Sequence, residues 1–183
     1  MPWLSVVIPV RNEAAGIVQV LMPLQALRDE LDIILVDGGS TDGTLALADH
    51  AISSLPGRAR QMNAGAAQAD GAVLLFLHAD TQLPAGFVGM IRQAMEPRAR
   101  GDVDLTTQSQ WGRFDVQLAP SSPTLKLIAW MMNQRSRLTG ICTGDQAIFV
   151  RRDLFNQLGG YADVALMEDI EFTSRLKRIG RAA

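Results

Sequence analysis

The stretch IILVDGGSTDGT, from Ile33 to Thr44, changes from an apolar run to a polar cluster within one residue. Apolar residues followed by turn-forming residues indicate a strand that is covered on both faces, as in parallel sheets. Ligands of such sheets bind outside the carboxyl ends of the strands, which is where Asp37 would lie. The stretch therefore predicts a parallel strand that ends beside a candidate binding site.

Two explanations fit the polar residues equally well. Asp37 would accept hydrogen bonds from a ribose hydroxyl or a base N–H, and Gly38 would let the backbone approach a ligand. Alternatively, Ser40, Thr41 and Asp42 would only cap a following helix. The stretch is not a P-loop, because no Gly-Lys-Ser/Thr follows, and it is not a Gly-x-Gly-x-x-Gly fingerprint.

The same alternation of apolar runs and helical segments recurs along the chain, which predicts an α/β fold with three layers and a mostly parallel central sheet. Strands are expected at Leu4–Val10, Asp32–Val36, Ile52, Val73–Leu77 and Ala147–Val150. Helices are expected at Asn12–Leu27 with a kink or break at Pro23, Thr44–His50, Gln61–Ala69, Pro84–Met95, Leu125–Leu138, Arg152–Leu158 and Asp169–Ile179. Between them, Val103–Leu118 alternates like a strand that is interrupted at Trp111-Gly112.

Composition narrows the class of protein. A chain of 183 residues, 48% of them hydrophobic, predicts a single domain over residues 1–183. A net charge of -2, from 17 basic and 19 acidic residues, argues against a nucleic-acid polymer as partner. The single cysteine, Cys142, fits a reducing cytoplasm and a small buried residue. The end of the chain, just after a predicted helix cap at Gly180, suggests that the natural protein continues.

Membrane insertion is not expected, because no segment approaches the roughly 20 apolar residues that cross a bilayer. The predicted helix Leu125–Leu138 carries Lys126, Trp130 and Met131, which would line an acceptor groove or touch a membrane surface. Packing of these side chains in the core is the favoured interpretation.

Two further stretches carry carboxylates at element ends. In Phe76–Asp80 a hydrophobic strand again ends in a carboxylate, so Asp80, with His78 as a second ligand, would hold a divalent cation. A structural histidine explains His78 at least as well. Glu168 and Asp169 begin a helix, where one would be a general base or both would merely stabilise the helix N-terminus.

Six pieces in order carry a resemblance that spans Val6 to Gly180. They are VVIPVRNE, ILVDGGSTDGT, GRARQMNAG, LLFLHAD, TGDQAIFVRRDLFNQLGG and LMEDIEFTSRLKRIG. This set resembles the family 2 glycosyltransferases with the GT-A fold, and within them a small bacterial subgroup that has His-Ala-Asp in place of Asp-x-Asp. The resemblance implies a nucleotide-sugar-binding half, residues 1–100, and an acceptor and catalytic half, residues 101–183.

The resemblance also implies roles for individual residues. A nucleotide-diphospho-sugar, with UDP as the default, would be bound by the first half; the implied residues are Pro9, Arg11, Glu13, Asp37, Gly38, Arg60, Asn63 and Asp80, with Arg58 in reserve. Mn²⁺ or Mg²⁺ would sit at Asp80 and aid the leaving diphosphate, although His78 stands where the family usually has Asp.

In the second half, Asp169 would be the catalytic base, with Glu168 beside it, and inversion at the sugar would follow. Gly144, Asp145 and Gln146 would line the acceptor side, and the acceptor would be a hydroxyl of a glycan or lipid, with peripheral contact at the inner face of a membrane. The Gln-x-x-Arg-Trp motif of processive members is missing, which favours transfer of a single sugar. A nucleotide-binding module without activity, or a sugar nucleotidyltransferase, is the alternative.

Overall fold

A six-stranded sheet forms the centre of the protein in the computed structural model, which describes residues 2–48, 50–96 and 109–183. The strands are β1 (Leu4–Val10), β2 (Leu31–Asp37), β3 (Ala51–Ser53), β4 (Val73–Phe76), β5 (Trp111–Gly112) and β6 (Phe149–Arg151). Their order is β3-β2-β1-β4-β6-β5. The first four are parallel, whereas β6 runs antiparallel to β4 and β5. The start of β6 therefore lies at the edge where β1, β2 and β4 end.

Helices cover both faces of the sheet. They are α1 (Ile17–Gln25), α2 (Arg58–Gln68), α3 (Phe87–Met95), α4 (Pro123–Thr139), α5 (Arg152–Gln157) and α6 (Glu168–Ile179). One core joins α1 and α3 to the sheet, and a second core on the other face joins α2, α5 and α6. The predicted α/β architecture with a mostly parallel sheet is confirmed.

Alternation along the strands separates the two cores. In β1, Val6 and Ile8 point to the first core and Val7 points to the second, as the period of two in a strand requires. The buried rings of Phe76, Phe155, Tyr161 and Phe172 pack together in the second core. Burying each large apolar side chain contributes about 1.5–3 kcal/mol, so both faces hold the sheet in place.

Gly65 lets α2 lie directly on the sheet. A Cβ added there would be 2.4 Å from Val7 Cγ1 and 2.8 Å from Val36 Cγ2. Because α2 follows β3 and precedes β4, its N-terminus is held at the edge where the parallel strands end.

Several predicted boundaries are wrong. Residues 44–47 form only a short 3-10 turn instead of a helix to His50. Helix α1 begins at Ile17 and not at Asn12, which has a left-handed φ of 57°. Pro23 lies inside α1 and does not end it. Trp111-Gly112, predicted as an interruption, is β5 itself, while residues 103–108 of that predicted strand lie outside the described part of the chain.

The buried position predicted for Cys142 is confirmed, and burial raises the pKa of its thiol to about 11. The core packing predicted for Trp130 and Met131 is wrong, because these side chains are 58% and 57% exposed. Within the described residues, every helix is too short or too polar to cross a bilayer.

Candidate active site

The predicted site residues gather at the edge where the parallel strands end. A chain of contacts joins the loops after β1 and β2, the N-terminus of α2, the end of β4, the turn before β6 and the N-terminus of α6. The connecting pairs are Asn12–Thr41, Gln61–Val10, Arg58–Glu168, His78–Asp145 and Gly144–Asp169.

The β1 and β2 loops are joined by hydrogen bonds between a side chain of one loop and the backbone of the other. The Asn12 N–H donates to Ser40 Oγ at 2.9 Å, and the Thr41 N–H donates to Asn12 Oδ1 at 2.8 Å. The Ala14 N–H donates to Asp42 Oδ2 at 3.0 Å. The predicted helix caps are therefore mainly links between two loops, and this explains why the stretch is so polar.

Thr44 is the innermost of these links. Its side chain is fully buried, and its hydroxyl accepts the Glu13 N–H at 3.0 Å. Hydrogen bonds from the Thr44 hydroxyl and the Ala14 N–H hold the pKa of Asp42 below its usual range. The β1 loop thus has a fixed shape that places Pro9 at a partly exposed position and Arg11 in solvent.

Asp37 is buried and bonded within its own loop. It accepts the Gly39 N–H at 2.9 Å, the Ser40 N–H at 3.0 Å and the Ser40 hydroxyl. Burial alone would raise the pKa of Asp37, but the bonds from Ser40 and Gly39 outweigh it and lower the pKa. A carboxylate has about four lone-pair positions, so this loop uses most of them before any ligand arrives.

Gln61 is a residue of the site that sequence reasoning missed. Its buried Nε2 donates to the carbonyls of Val10 and Val36, at 2.8 Å each, and so ties the ends of β1 and β2 together. Gly38 is required by this contact, because a Cβ there would be 2.9 Å from Gln61 Cδ. The available signal was its position one turn before Gly65, on the face of α2 that meets the sheet.

The basic residues at the start of α2 point in different directions. Arg58 Nη1 lies 3.4 Å from Glu168 Oε1, and its side chain is 52% exposed. Arg60 Nε instead donates to both oxygens of the exposed Asp163, at 2.9 Å each. Arg58, the reserve choice, therefore faces the carboxylates of α6.

Asn63 joins two parts of the backbone. Its Nδ2 donates to the Tyr161 carbonyl at 2.8 Å, and its Oδ1 accepts the Tyr161 N–H at 2.9 Å. Both ends of the amide are therefore engaged in packing α2 against the loop before α6.

His78 is packed against the turn before β6. Its Nδ1 lies 3.4 Å from Asp145 Oδ1, and Gly144 leaves room for the ring, since a Cβ there would be 2.1 Å from His78 Nε2. Contact with His78 is the main cause that lowers the pKa of Asp145. The turn is anchored by Gln146, which is fully buried and donates to Ser136 Oγ at 3.0 Å.

A divalent cation would fit this edge only if phosphates and water supplied ligands in addition to the protein side chains. No group of three His, Cys, Asp or Glu side chains lies together in the described residues. Asp80 is exposed in the loop four residues after the end of β4, and its carboxylate accepts a hydrogen bond from the Thr81 hydroxyl at 3.3 Å. Mg²⁺ is commonly held by one or two carboxylates together with phosphates and water, so this donor set is sufficient.

The acidic pair of α6 divides into a buried and an accessible group. Glu168 is 2% exposed and faces Arg58, whereas Asp169 is partly exposed. Asp169 accepts the Gly144 N–H at 2.6 Å and the Ile170 N–H at 2.8 Å. One lone pair on each oxygen of Asp169 remains for a further proton donor.

The family of this chain is shown by a match of its sequence to a family model. The model of glycosyl transferase family 2 matches residues 5–159. The chain belongs to this family. Curated relatives agree: a probable glycosyltransferase of Bacillus subtilis, YdaM, is 28% identical over 98% of the chain, and a PGL/p-HBAD biosynthesis glycosyltransferase of Mycobacterium bovis is 31% identical over 87%. The chain spans 48% and 63% of the lengths of these two relatives.

Solved structures confirm the GT-A fold of this family 2 chain. A mannosyltransferase from Pyrobaculum calidifontis in complex with GDP-Man and Mn²⁺ has a TM-score of 0.72 and 22% identity, covering 100% of this chain and 54% of its own. Glucosyl-3-phosphoglycerate synthase from Mycobacterium tuberculosis, in complex with Mn²⁺ and UDP-glucose, has a TM-score of 0.68 and 20% identity, covering 99% and 68%.

Proposed function

We propose that this chain is an inverting glycosyltransferase domain that moves one sugar from a nucleotide-diphospho-sugar to an acceptor hydroxyl, and that it belongs to the subgroup with His-Ala-Asp. The observation that carries the proposal is the turn before β6. Its Gly144 binds Asp169, and its Asp145 contacts His78, two residues before Asp80. A candidate base and a candidate phosphate-side carboxylate therefore share one edge and one connecting turn.

Asp169 is the proposed base. The Gly144 N–H fixes one oxygen, and the partly exposed carboxylate has lone pairs left to accept the proton of an acceptor hydroxyl. Deprotonation makes that oxygen the nucleophile at the anomeric carbon. Attack opposite the leaving diphosphate inverts this carbon, as in hydrolases in which base and leaving group lie on opposite faces of the sugar.

The proposed donor site is formed by the first half, residues 1–100. Asp37, Gly38 and the β1 loop with Arg11 would surround the base and ribose, and Arg58 would add a positive charge on the side of Glu168. Asp80, with His78 nearby, would hold a divalent cation, which supplies charge stabilisation to the departing diphosphate. Two similar structures contain Mn²⁺ with a nucleotide sugar, which supports this choice. UDP is the proposed nucleotide.

The proposed acceptor is a hydroxyl of a glycan or a lipid, bound beside Gly144 and Asp145 in residues 101–183. The proposed location is the cytoplasm, with peripheral contact to the inner face of a membrane.

Calorimetric titration with UDP, GDP, TDP and CMP, each with and without Mn²⁺, tests the donor proposal. One nucleotide should bind best, and Mn²⁺ should strengthen its binding at least about tenfold, or by about 1.4 kcal/mol. Asp80→Asn should remove the strengthening by Mn²⁺. Asp70→Asn is the matched control, because Asp70 is also exposed but precedes β4 at the opposite edge.

Other results would redirect the proposal. Failure of all four nucleotides to bind would contradict it. Donor binding without any turnover would favour the inactive nucleotide-binding module, and release of pyrophosphate would favour a nucleotidyltransferase.

A further inference from the structure

Helix α4 exposes an apolar ridge. Of its 17 residues, only Ala129 and Ser136 are buried. Leu127, Met131 and Leu138 are 57%, 57% and 84% exposed. At 3.6 residues per turn these three side chains fall within about 40° of one another, and they lie about 140–180° from Ser136. The ridge therefore points directly away from the body of the protein.

Trp130 extends this ridge on one side. Its side chain is 58% exposed, whereas Trp111 is fully buried in the second core. An exposed indole next to aliphatic side chains is unfavourable in water but suits a membrane interface, where the ring lies between headgroups and acyl chains.

The charges that flank the ridge all have one sign. Residues 123–139 contain Lys126, Arg135 and Arg137 and no Asp or Glu. Lys126 and Arg137 project on one side of the ridge, and Arg135 projects on the other, at about 80–100° from Leu127. Arg137 pairs with Asp115, which also pairs with Arg113, so positive charge remains in excess.

We propose that this outward face of α4, defined by Leu127, Trp130, Met131 and Leu138 with their basic flanks, docks on an anionic phospholipid bilayer. The apolar ridge would enter the headgroup region, and the basic residues would meet the lipid phosphates. A second copy fits less well, because an isologous contact would bring the same cations together without a carboxylate on α4 to offset them.

Docking there would also serve the proposed function, on which this consequence rests. The inner side of α4 contacts the acceptor turn, since Gln146 Nε2 donates to Ser136 Oγ at 3.0 Å. Gly144 and Asp145 belong to the same turn. A bilayer on the outer side of α4 would therefore lie one helix diameter, roughly 10 Å, from this turn, and its lipids would supply the acceptor hydroxyl.

Sedimentation of the purified chain with vesicles tests the docking. We expect binding to phosphatidylcholine mixed with phosphatidylglycerol, little binding to phosphatidylcholine alone, and weakening by salt. The pair Leu127→Gln and Met131→Gln should lower partitioning at least about tenfold. The pair Lys126→Gln and Arg135→Gln should lower it about thirtyfold, or roughly fivefold for each basic residue.

The control pair is Met22→Gln and Leu55→Gln, which changes side chains that are 65% and 70% exposed outside α4. Thermal unfolding should confirm that each variant is folded. Equal loss of binding in control and α4 variants, or no binding to mixed vesicles, would overturn the proposal. So would concentration-dependent dimerisation in sedimentation velocity that the α4 variants abolish. Vesicle binding is read without nucleotide, so it can fail while donor binding and turnover persist.

Discussion

The loop after β2 and the turn before β6 lie at the same edge of the sheet, but their carboxylates are bonded differently. Asp37 and Asp42 each accept several hydrogen bonds from the loops around them. Asp145, in contrast, has a half-exposed side chain that touches His78, and nearby Asp80 contacts only a neighbouring hydroxyl among the described residues. The carboxylates of the first region are used in hydrogen bonds within the protein, whereas those of the second region stay accessible to a ligand.

This difference separates two kinds of effect. Substitutions in the β2 loop, or at Gln61 beneath it, should mainly lower the stability of the protein. Any loss of donor affinity should follow from that loss of stability. Changes beside the turn before β6 should act on turnover with little effect on stability, because their side chains have fewer bonds within the protein to lose.

The largest expected effect is that of Asp169→Asn on turnover. The amide keeps an oxygen for the Gly144 N–H but cannot take a proton, so the rate should fall about 10²–10⁴-fold while donor binding is unchanged. The measurement is initial rate and calorimetric donor affinity, once an acceptor is found. Asp153→Asn is the control, because Asp153 also accepts the N–H of the next residue, at 2.8 Å, but is the second residue of α5 instead of α6. Equal rates in the two variants would contradict the base role.

The second effect is on stability. Gln61→Leu should lower the free energy of unfolding by about 2–3 kcal/mol, because the Val36 carbonyl loses a buried donor and Val10 keeps only the Gly38 N–H. Urea denaturation measures this change. Gln68→Leu, at the exposed end of the same helix, should cost far less. A similar loss in both variants would show that Gln61 does not tie the strand ends.

The sequence predicted the sheet well because its strands are covered on both faces, so their residues form continuous apolar runs such as Leu4–Val10. It failed where a local pattern depends on a distant partner. Thr44 has a helical sequence context, but its hydroxyl is bound by the Glu13 N–H from another loop. Gly112 looks like an interruption, yet it pairs with Phe149, whose ring occupies the space of a Cβ.

The site was predicted less completely than the fold. Motifs indicated which residues reach the edge, since Asp37 is the last residue of β2 and Asp80 comes four residues after the end of β4. They did not indicate which polar atoms are already used: Asn63 is bonded at both ends to Tyr161, and Gln146 is buried. Those partners lie about 100 residues away for Asn63 and 10 residues away for Gln146, and only folding brings them together.

A smaller expected effect is the pH dependence of the stability that Asp37 gives to the loop after β2. Asp37→Asn should destabilise the protein by about 1–2 kcal/mol at pH 7, because the amide accepts fewer hydrogen bonds. The pKa of Asp37 is lowered in the folded state, so its contribution is complete above about pH 4 and is lost as the pH falls further. Urea titrations should therefore show a constant gap from pH 7 to pH 5 that closes at lower pH. A gap that widened on acidification would rule out this bonding of Asp37.

The smallest expected effect concerns the backbone next to Glu168 and Asp169, the proposed catalytic pair. Met167 has a left-handed φ of 65° directly before Glu168, and its side chain is 66% exposed. Such a conformation costs a residue with a Cβ about 1 kcal/mol, which glycine avoids. Met167→Gly should therefore be more stable than Met167→Ala by up to about 1 kcal/mol in urea denaturation, because both variants remove the same side chain and differ only in the Cβ. If Met167→Gly also turns over more slowly than Met167→Ala, the strained residue helps to hold Asp169 in place. Equal stability of the two variants would mean that the left-handed conformation at position 167 costs no free energy. The backbone before Glu168 would then not be strained, and the two regions would differ only in how their carboxylates are bonded.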